Sequence, residues 1–360
     1  MPTRRGFLAS LAAISAAPAP SWADASAPDY LAAAQVRDGS YRLYGLDAAG
    51  APVFWLELPD RGHAAAAHPT RPEAVAFARR PGDYAIVLDC ARGEQVASLT
   101  APEGRHFYGH GAFSEDGALL YTAENDFDAG LGRVGIWSVD EGYRRVGEFG
   151  SGGVGPHDIV RMPGGGALVV ANGGIATHPD TGRAKLNLPT MKPNLTYLDA
   201  DGDILEVVEA AESARLNSIR HLAVRPDGLV AFAMQWEGDI AAAPPLLGLH
   251  RRGSAAAYLV ADGDGWRDMR GYAGSVAFSG DGALVAITSP EGGAAQVFDV
   301  ETGALSAAYR IADVCGVAPA DDHFLFSSGS GWIGDARRGG GGDETLPAWD
   351  NHLVTICALA

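Results

Sequence analysis

The chain has 360 residues, of which 47% are hydrophobic, and carries 44 Asp and Glu against 27 Lys and Arg for a formal net charge of −17. Such an acidic balance argues against nucleic acid and anionic lipid as partners, because both demand a basic surface. Cys90, Cys315 and Cys357 lie far apart with no C-x-x-C or C-x-x-C-H spacing, which leaves no covalent haem and no zinc ribbon.

Residues 1–23 read as a targeting segment. Arg4-Arg5 precedes an apolar stretch from Phe7 to Ala17, and Ser21-Trp22-Ala23 offers a small-x-small cleavage site. That pattern is a twin-arginine signal, which addresses a folded protein to the bacterial periplasm. Export removes Arg4 and Arg5 and leaves the mature chain still more acidic. No later run of about 20 apolar residues exists, so no membrane span is expected.

Residues 24–360 are expected to form one all-β domain, a single β-propeller of seven four-stranded blades. The opening stretch Tyr30 to Pro59 makes one unit, and others begin near residues 63, 106, 157, 220, 274 and 314. The repeat is plainest where Gly111 to Tyr121 is echoed by Asp158 to Leu168, Leu222 to Val230 and Val276 to Leu284. Each echo is a short apolar strand, a tight turn around Gly117, Gly164, Gly228 or Gly282, and a second apolar strand. A third strand ends near Asp89, Asp140, Asp199 or Asp299, and a fourth follows. Radial repetition of such a unit at roughly 48 residues is the propeller signature. The first and last units each show only three strands, so ring closure mixes the chain ends in an order the sequence does not assign.

Aligning the units on their turns puts His110, His157 and His221 each seven residues before the turn glycine. Equal offsets on alternating strands mean equal facing, so rotation places three imidazoles side by side at one end of the channel. His63 lies within about one residue of the same place, and the next blade carries Ser275. Two readings are open. Three histidines from different strands suit zinc, copper or iron with open coordination positions. Alternatively, each imidazole braces its strand start against a loop carbonyl.

A second set is expected on the face bearing the long loops: Glu124, Asn125 and Asp126, then Asn172, then Gln235 and Trp236. The loop from Gly173 to Pro193 adds His178, Arg183 and Lys185, and the Gly-rich stretch after Ser328 leads into Trp349-Asp350-Asn351-His352. Long polar loops on a rigid scaffold are where function usually resides. Glu124 and Asp126 are candidate hard ligands or acid–base groups, but Asp and Asn at strand ends also stabilise turns.

Tyr108-Gly109-His110-Gly111, Tyr121 to Asp126, Gly155-Pro156-His157, Val170 to Ile175, Ser218 to Leu222, Gly248 to Arg251, Asp313 to Ala318 and Trp349 to His352 together resemble the exported bacterial family catalogued as domain of unknown function 1513. The resemblance runs from about Ala33 to Leu359. Asp158 departs from it, standing where Glu is expected. These motifs bring Arg220 and His250 into the candidate ligand or partner set. The resemblance implies an exported propeller, often encoded beside imelysin-type periplasmic proteins and di-haem oxidoreductases, a setting associated with iron acquisition. It implies no established reaction. The expected role is therefore an iron-type metal-uptake accessory or binding protein that acts through the long-loop face at the channel mouth, with a transition-metal ion and periplasmic uptake proteins as partners. The alternatives are a metal-dependent oxidoreductase or hydrolase with Glu124 or Asp126 as base, and a docking platform without a small-molecule site.

Replacing Arg4 and Arg5 together by Lys is expected to leave uncleaved precursor in the cytoplasm, as fractionation and immunoblotting would show; efficient export of the double variant would refute the twin-arginine reading.

Overall fold

The second and third strands of the repeats are buried on both faces, which is why they read as unbroken apolar runs. In Glu73–Ala78, Ala74 and Ala76 pack with Leu31 and Leu43, whereas Val75 and Phe77 pack with Phe107 and Leu120. Side chains alternate along a strand, so one strand feeds two separate cores, one toward each neighbouring sheet. The outermost strands have only one covered side. Arg144–Gly150 and Leu305–Arg310 accordingly alternate between exposed and partly buried positions.

A computed structural model describes residues 19–79, 82, 84–182, 184–242, 244–338 and 347–356. The twin arginine, Arg183 and Cys357 lie outside the described residues. Seven sheets are arranged radially as a seven-bladed β-propeller. Seven apolar clusters fill the seams, one between each pair of neighbouring blades. From the second blade to the seventh, the innermost strands are Gly62–Ala67, Arg105–Phe113, Pro156–Arg161, Asn217–Val224, Ser275–Phe278 and Val314–Ala320. Among the described residues no helix is long and apolar enough to cross a membrane.

The first blade settles the ring closure. Its own three strands are Tyr30–Gln35, Tyr41–Leu46 and Pro52–Leu58, and its inner edge is supplied by the chain's other end. Ala348–Trp349 pairs antiparallel with Tyr30–Gln35 through Trp349 and Ala34, and Val354–Thr355 pairs with the same strand through Val354 and Leu31. The seventh blade has three strands among its described residues.

The turns that align the repeats are equivalent hairpins. Gly117 and Gly282 close them at φ +73° and +72°, a left-handed conformation that a side chain disfavours, with their N–H groups donating to Ser114 and Ser279 carbonyls.

The proposed cleavage position has a structural consequence. Trp22 and Ala25 are buried in the seam between the first two blades, and the Trp22 indole N–H donates to the His68 carbonyl at 2.9 Å. Cleavage after Ala23 would remove that ring. Burial of a large apolar side chain stabilises by about 2 kcal/mol. A chain beginning at Ala19 is therefore expected to melt a few degrees above one beginning at Asp24; equal melting temperatures by calorimetry would mean the Trp22 contact contributes nothing.

Candidate functional site: a cluster of five imidazoles in the channel

The innermost strands share a defect at one level. Their register against the second strand slips between Gly62 and Ala65, Phe107 and Gly111, Pro156 and Asp158, Ile219 and His221, and Val314 and Val317. A bulge adds residues to one strand and re-aims the side chain there. His63, His110 and His157 lie inside these slips, and His221 ends one. Gly109, just before His110, sits at φ +96°, and a Cβ there would stand 2.7 Å from His63 Cδ2. Only glycine permits both that backbone and that approach. In the sixth blade Ser275 keeps regular pairing with Thr288. In the first blade, His352 falls between the two short ladders of the closing segment, where that segment uses more residues than its partner strand.

Five imidazoles consequently meet. Ring centroids lie 5.0 Å apart for His63 and His110, 5.3 Å for His110 and His157, 4.7 Å for His157 and His221, 4.7 Å for His221 and His352, and 4.7 Å for His352 and His63. His110 is the hub, with His221 at 5.5 Å and His352 at 4.8 Å as well. Ligand nitrogens of His63, His110 and His352 all lie within 4.8 Å of one another, as do those of His110, His157 and His221. A tetrahedral ion with bonds of about 2.0 Å holds its nitrogens about 3.3 Å apart, so small side-chain rotations bring either triad onto one ion.

The polar groups inside the cluster are not satisfied within the protein. His110 Nε2, His157 Nδ1, His221 Nδ1 and His352 Nε2 are buried without a hydrogen-bond partner, which is costly in a finished interior. Carboxylates orient two rings from behind. Asp158 Oδ1 lies 3.2 Å from His110 Nδ1, and Asp350 Oδ1 lies 3.4 Å from His63 Nδ1. A carboxylate behind one ring nitrogen fixes the tautomer and leaves the other nitrogen as a lone-pair donor, the arrangement behind metal-bound histidines. Asp158 is itself held by the Ile159 and Leu222 amides, which donate to its Oδ1 and Oδ2.

Burial favours the neutral form of four of the rings. Burial, joined by the neighbouring His221, Arg220 and His110, holds His157 well below the ordinary imidazole value. Burial does the same to His221, helped by His110, and to His352, helped by His221. His63 is pushed down to about 4, since burial outweighs the opposing Asp350 hydrogen bond. Burial works against the Asp350 carboxylate too, but His63, Arg79 and Arg61 more than reverse it and hold its pKa well below the usual range. Neutral imidazole is the form that binds metal.

The other sequence-expected residues divide. Asp350 and His352, expected on the long-loop face, belong to the imidazole cluster. Asn351 beside them is buried, its amide donating to Asp350 Oδ1, and Trp349 packs edge-on against Tyr44. Glu124 is not an open acid or base: it is fully buried, bound by Arg145 at 2.6 Å and by the Thr122 hydroxyl. Asp126 pairs with Arg133 and Arg105, and Asn125 donates to the Thr177 carbonyl. Asn172 bridges Ser151 and Asn194. Lys185 and Arg220 both pair with Glu237. Gln235 reaches the Ala273 carbonyl and Trp236 the Asp239 carbonyl. His178 stands near Asp128 and Asp180 on exposed loops. His250 is at the opposite end of its blade, opposite Val230 beside the hairpin turn, and it bonds the Tyr197 hydroxyl. Its third strand runs away from the long loops, so the family motif containing it marks packing on another face.

Access differs from the expectation as well. A cavity of about 1050 Å³ starts at His110, His221, His352 and Ser275 and continues along all seven inner strands to hairpin residues such as Pro163, Pro226 and Gly282. The space beside the imidazoles therefore leads to the short-turn end, not to the long loops.

A ring of seven blades with imidazoles gathered in its channel defines a histidine-lined β-propeller. The chain belongs to the family described as Protein of unknown function (DUF1513), which matches residues 56–356. No curated protein matches it. Among solved structures it is similar to hydrazine synthase of Kuenenia stuttgartiensis, with a TM-score of 0.59 and 14% identity over 84% of this chain and 93% of that one. At that identity the likeness is one of fold alone.

The lowered imidazole values set the acid response of the metal-free protein. A histidine whose folded pKa lies below its unfolded value of about 6.5 stabilises the fold above that value and loses the contribution as pH falls toward the folded pKa. For His63 the window runs from about 6.5 to about 4. The melting temperature of the metal-free protein is expected to fall steadily across this window, and His63→Gln is expected to flatten the slope. An unchanged slope would mean that His63 is not held neutral.

Proposed function

We propose that this protein is a periplasmic metal-binding propeller that holds one divalent transition-metal ion on His110 and its imidazole neighbours, as an accessory of metal uptake of the iron type. The observation that carries the reading is the set of four buried, partnerless imidazole nitrogens contributed by four different blades and gathered in one cluster of rings. A role in bracing loops predicts the opposite, namely each nitrogen bonded to its own carbonyl. Imidazole donors suit zinc, copper, iron and nickel, and the acidic chain suits a cationic cargo. Periplasmic residence rests on the Arg4-Arg5 leader, and the uptake role on the gene setting of the family.

Binding is favoured over turnover by the state of the nearby carboxylates. Hydrolysis at a metal centre is commonly assisted by a free general base close to the bound water. Asp158 is consumed by two amides and His110, Asp350 by two arginines and His63, and Glu124 by Arg145. None is available to move a proton.

Within this reading His110, rather than the His157 that sits mid-way along the aligned repeats, is the decisive ligand, because it alone is shared by both triads. Elemental analysis of protein isolated from the periplasm is expected to find about one transition-metal ion per chain, lost in His110→Ala and retained in part in His157→Ala and His352→Ala. Asp158→Asn is expected to weaken binding by about 10- to 100-fold with little change in fold. Wild-type protein without metal, or His110→Ala with a full complement, would overturn the proposal.

A further inference from the structure

The imidazole cluster is one-sided. Histidines come from the first five blades, whereas the sixth offers Ser275 and the seventh offers Cys315, whose thiol points away to the Asp350, Trp349 and Ser327 carbonyls. Below the cluster lies a cavity of about 1050 Å³, far more than an ion and its waters need and of the size that holds a drug-sized molecule. Its walls are apolar along most of their length, with residues such as Ala112, Ile159, Val276 and Val317. Apart from Asp158, which is held behind His110, charge appears only near the short-turn rim, where Arg161 faces Glu115, Arg225 is paired with Asp227, and Asp281 adds one further carboxylate.

From this geometry, and resting on the metal reading above, we infer that the channel is a binding site for a small organic ligand, with a nitrogen or oxygen donor at one end that completes the metal's coordination and an uncharged apolar body that fills the channel. The ligand enters from the short-turn end. The donor end is specified by the ion, because the cavity presents its histidines at one extremity only. The body is specified by the walls: a polyanion finds no net countercharge at the rim and a polycation only one excess carboxylate, whereas an apolar group displaces water from alanine, valine and isoleucine surface. Ala112 is the residue best placed to test this, since it lines the cavity, keeps partial exposure there and belongs to none of the seven apolar clusters.

The test uses the full mature protein loaded with Co²⁺, whose visible absorption reports its coordination, and two probes, imidazole and 4-phenylimidazole. Both are expected to change the Co²⁺ spectrum, with 4-phenylimidazole binding at least about 10-fold more tightly because its phenyl ring is buried against the channel wall. Ala112→Trp is expected to bring the two probes to equal affinity while leaving Co²⁺ affinity unchanged; Ala112→Met is the smaller block if the Trp variant does not fold, as circular dichroism would reveal. Spectra that respond to neither probe, or equal affinities in the unmodified protein, would overturn the inference while leaving the metal site intact. Failure of Co²⁺ to bind at all would overturn the metal reading and this inference with it.

Discussion

Two short ladders hold the ring shut. Ala348–Trp349 and Val354–Thr355 pair with Tyr30–Gln35, and this antiparallel contact gives the first blade its inner edge. Every seam core depends on its two sheets staying side by side, and the seam between the last blade and the first also depends on Trp349 and Leu353 from the closing segment. Closing the ring with non-covalent hydrogen bonds removes the exposed inner edge that an open array would present. It also delivers Asp350 and His352 to the channel, so the event that completes the fold completes the imidazole cluster.

The cluster shows how a repeat architecture assembles chemistry from residues that are remote in sequence. One local device, a bulge at a fixed level of the inner strand, recurs around the ring, and in the second to fifth blades it turns a histidine to the same place. The sixth blade lacks both the bulge and the histidine, and Ser275 there follows ordinary pairing. Each of the second to fifth blades thus places its histidine in or at the end of a bulge, as expected where irregular backbone re-aims a side chain, while the seventh blade keeps the bulge and carries Cys315 there.

Energetically the site runs against the rest of the molecule. The seams bury matched apolar faces, while the channel buries neutral imidazoles with unsatisfied nitrogens and sets carboxylates behind them. Such groups lower stability unless something satisfies them. A bound cation does so directly, and it gains from the deprotonated state that burial already enforces. The polar residues on the long-loop face behave differently: Glu124, Asn172 and Lys185 all find partners inside the protein.

The sequence by itself determined the seven-fold repeat, because turn glycines and doubly buried strands leave marks at a constant spacing, and it placed His110, His157 and His221 in one frame because equal offsets within equivalent strands give equal facing. His63 was legible only to within a residue, since the turn of its hairpin, Pro69-Thr70-Arg71-Pro72, has no glycine on which to align it. His352 was not legible as a member of the cluster, because its blade is built from both chain ends and no offset along the chain relates it to the rest. The partner of Glu124 and the direction in which the channel opens were decided by tertiary structure alone. Pairing of Arg145 with Glu124 runs across a sheet, and the channel's mouth depends on which ends of seven inner strands leave open space, neither of which has a period that a linear sequence can display.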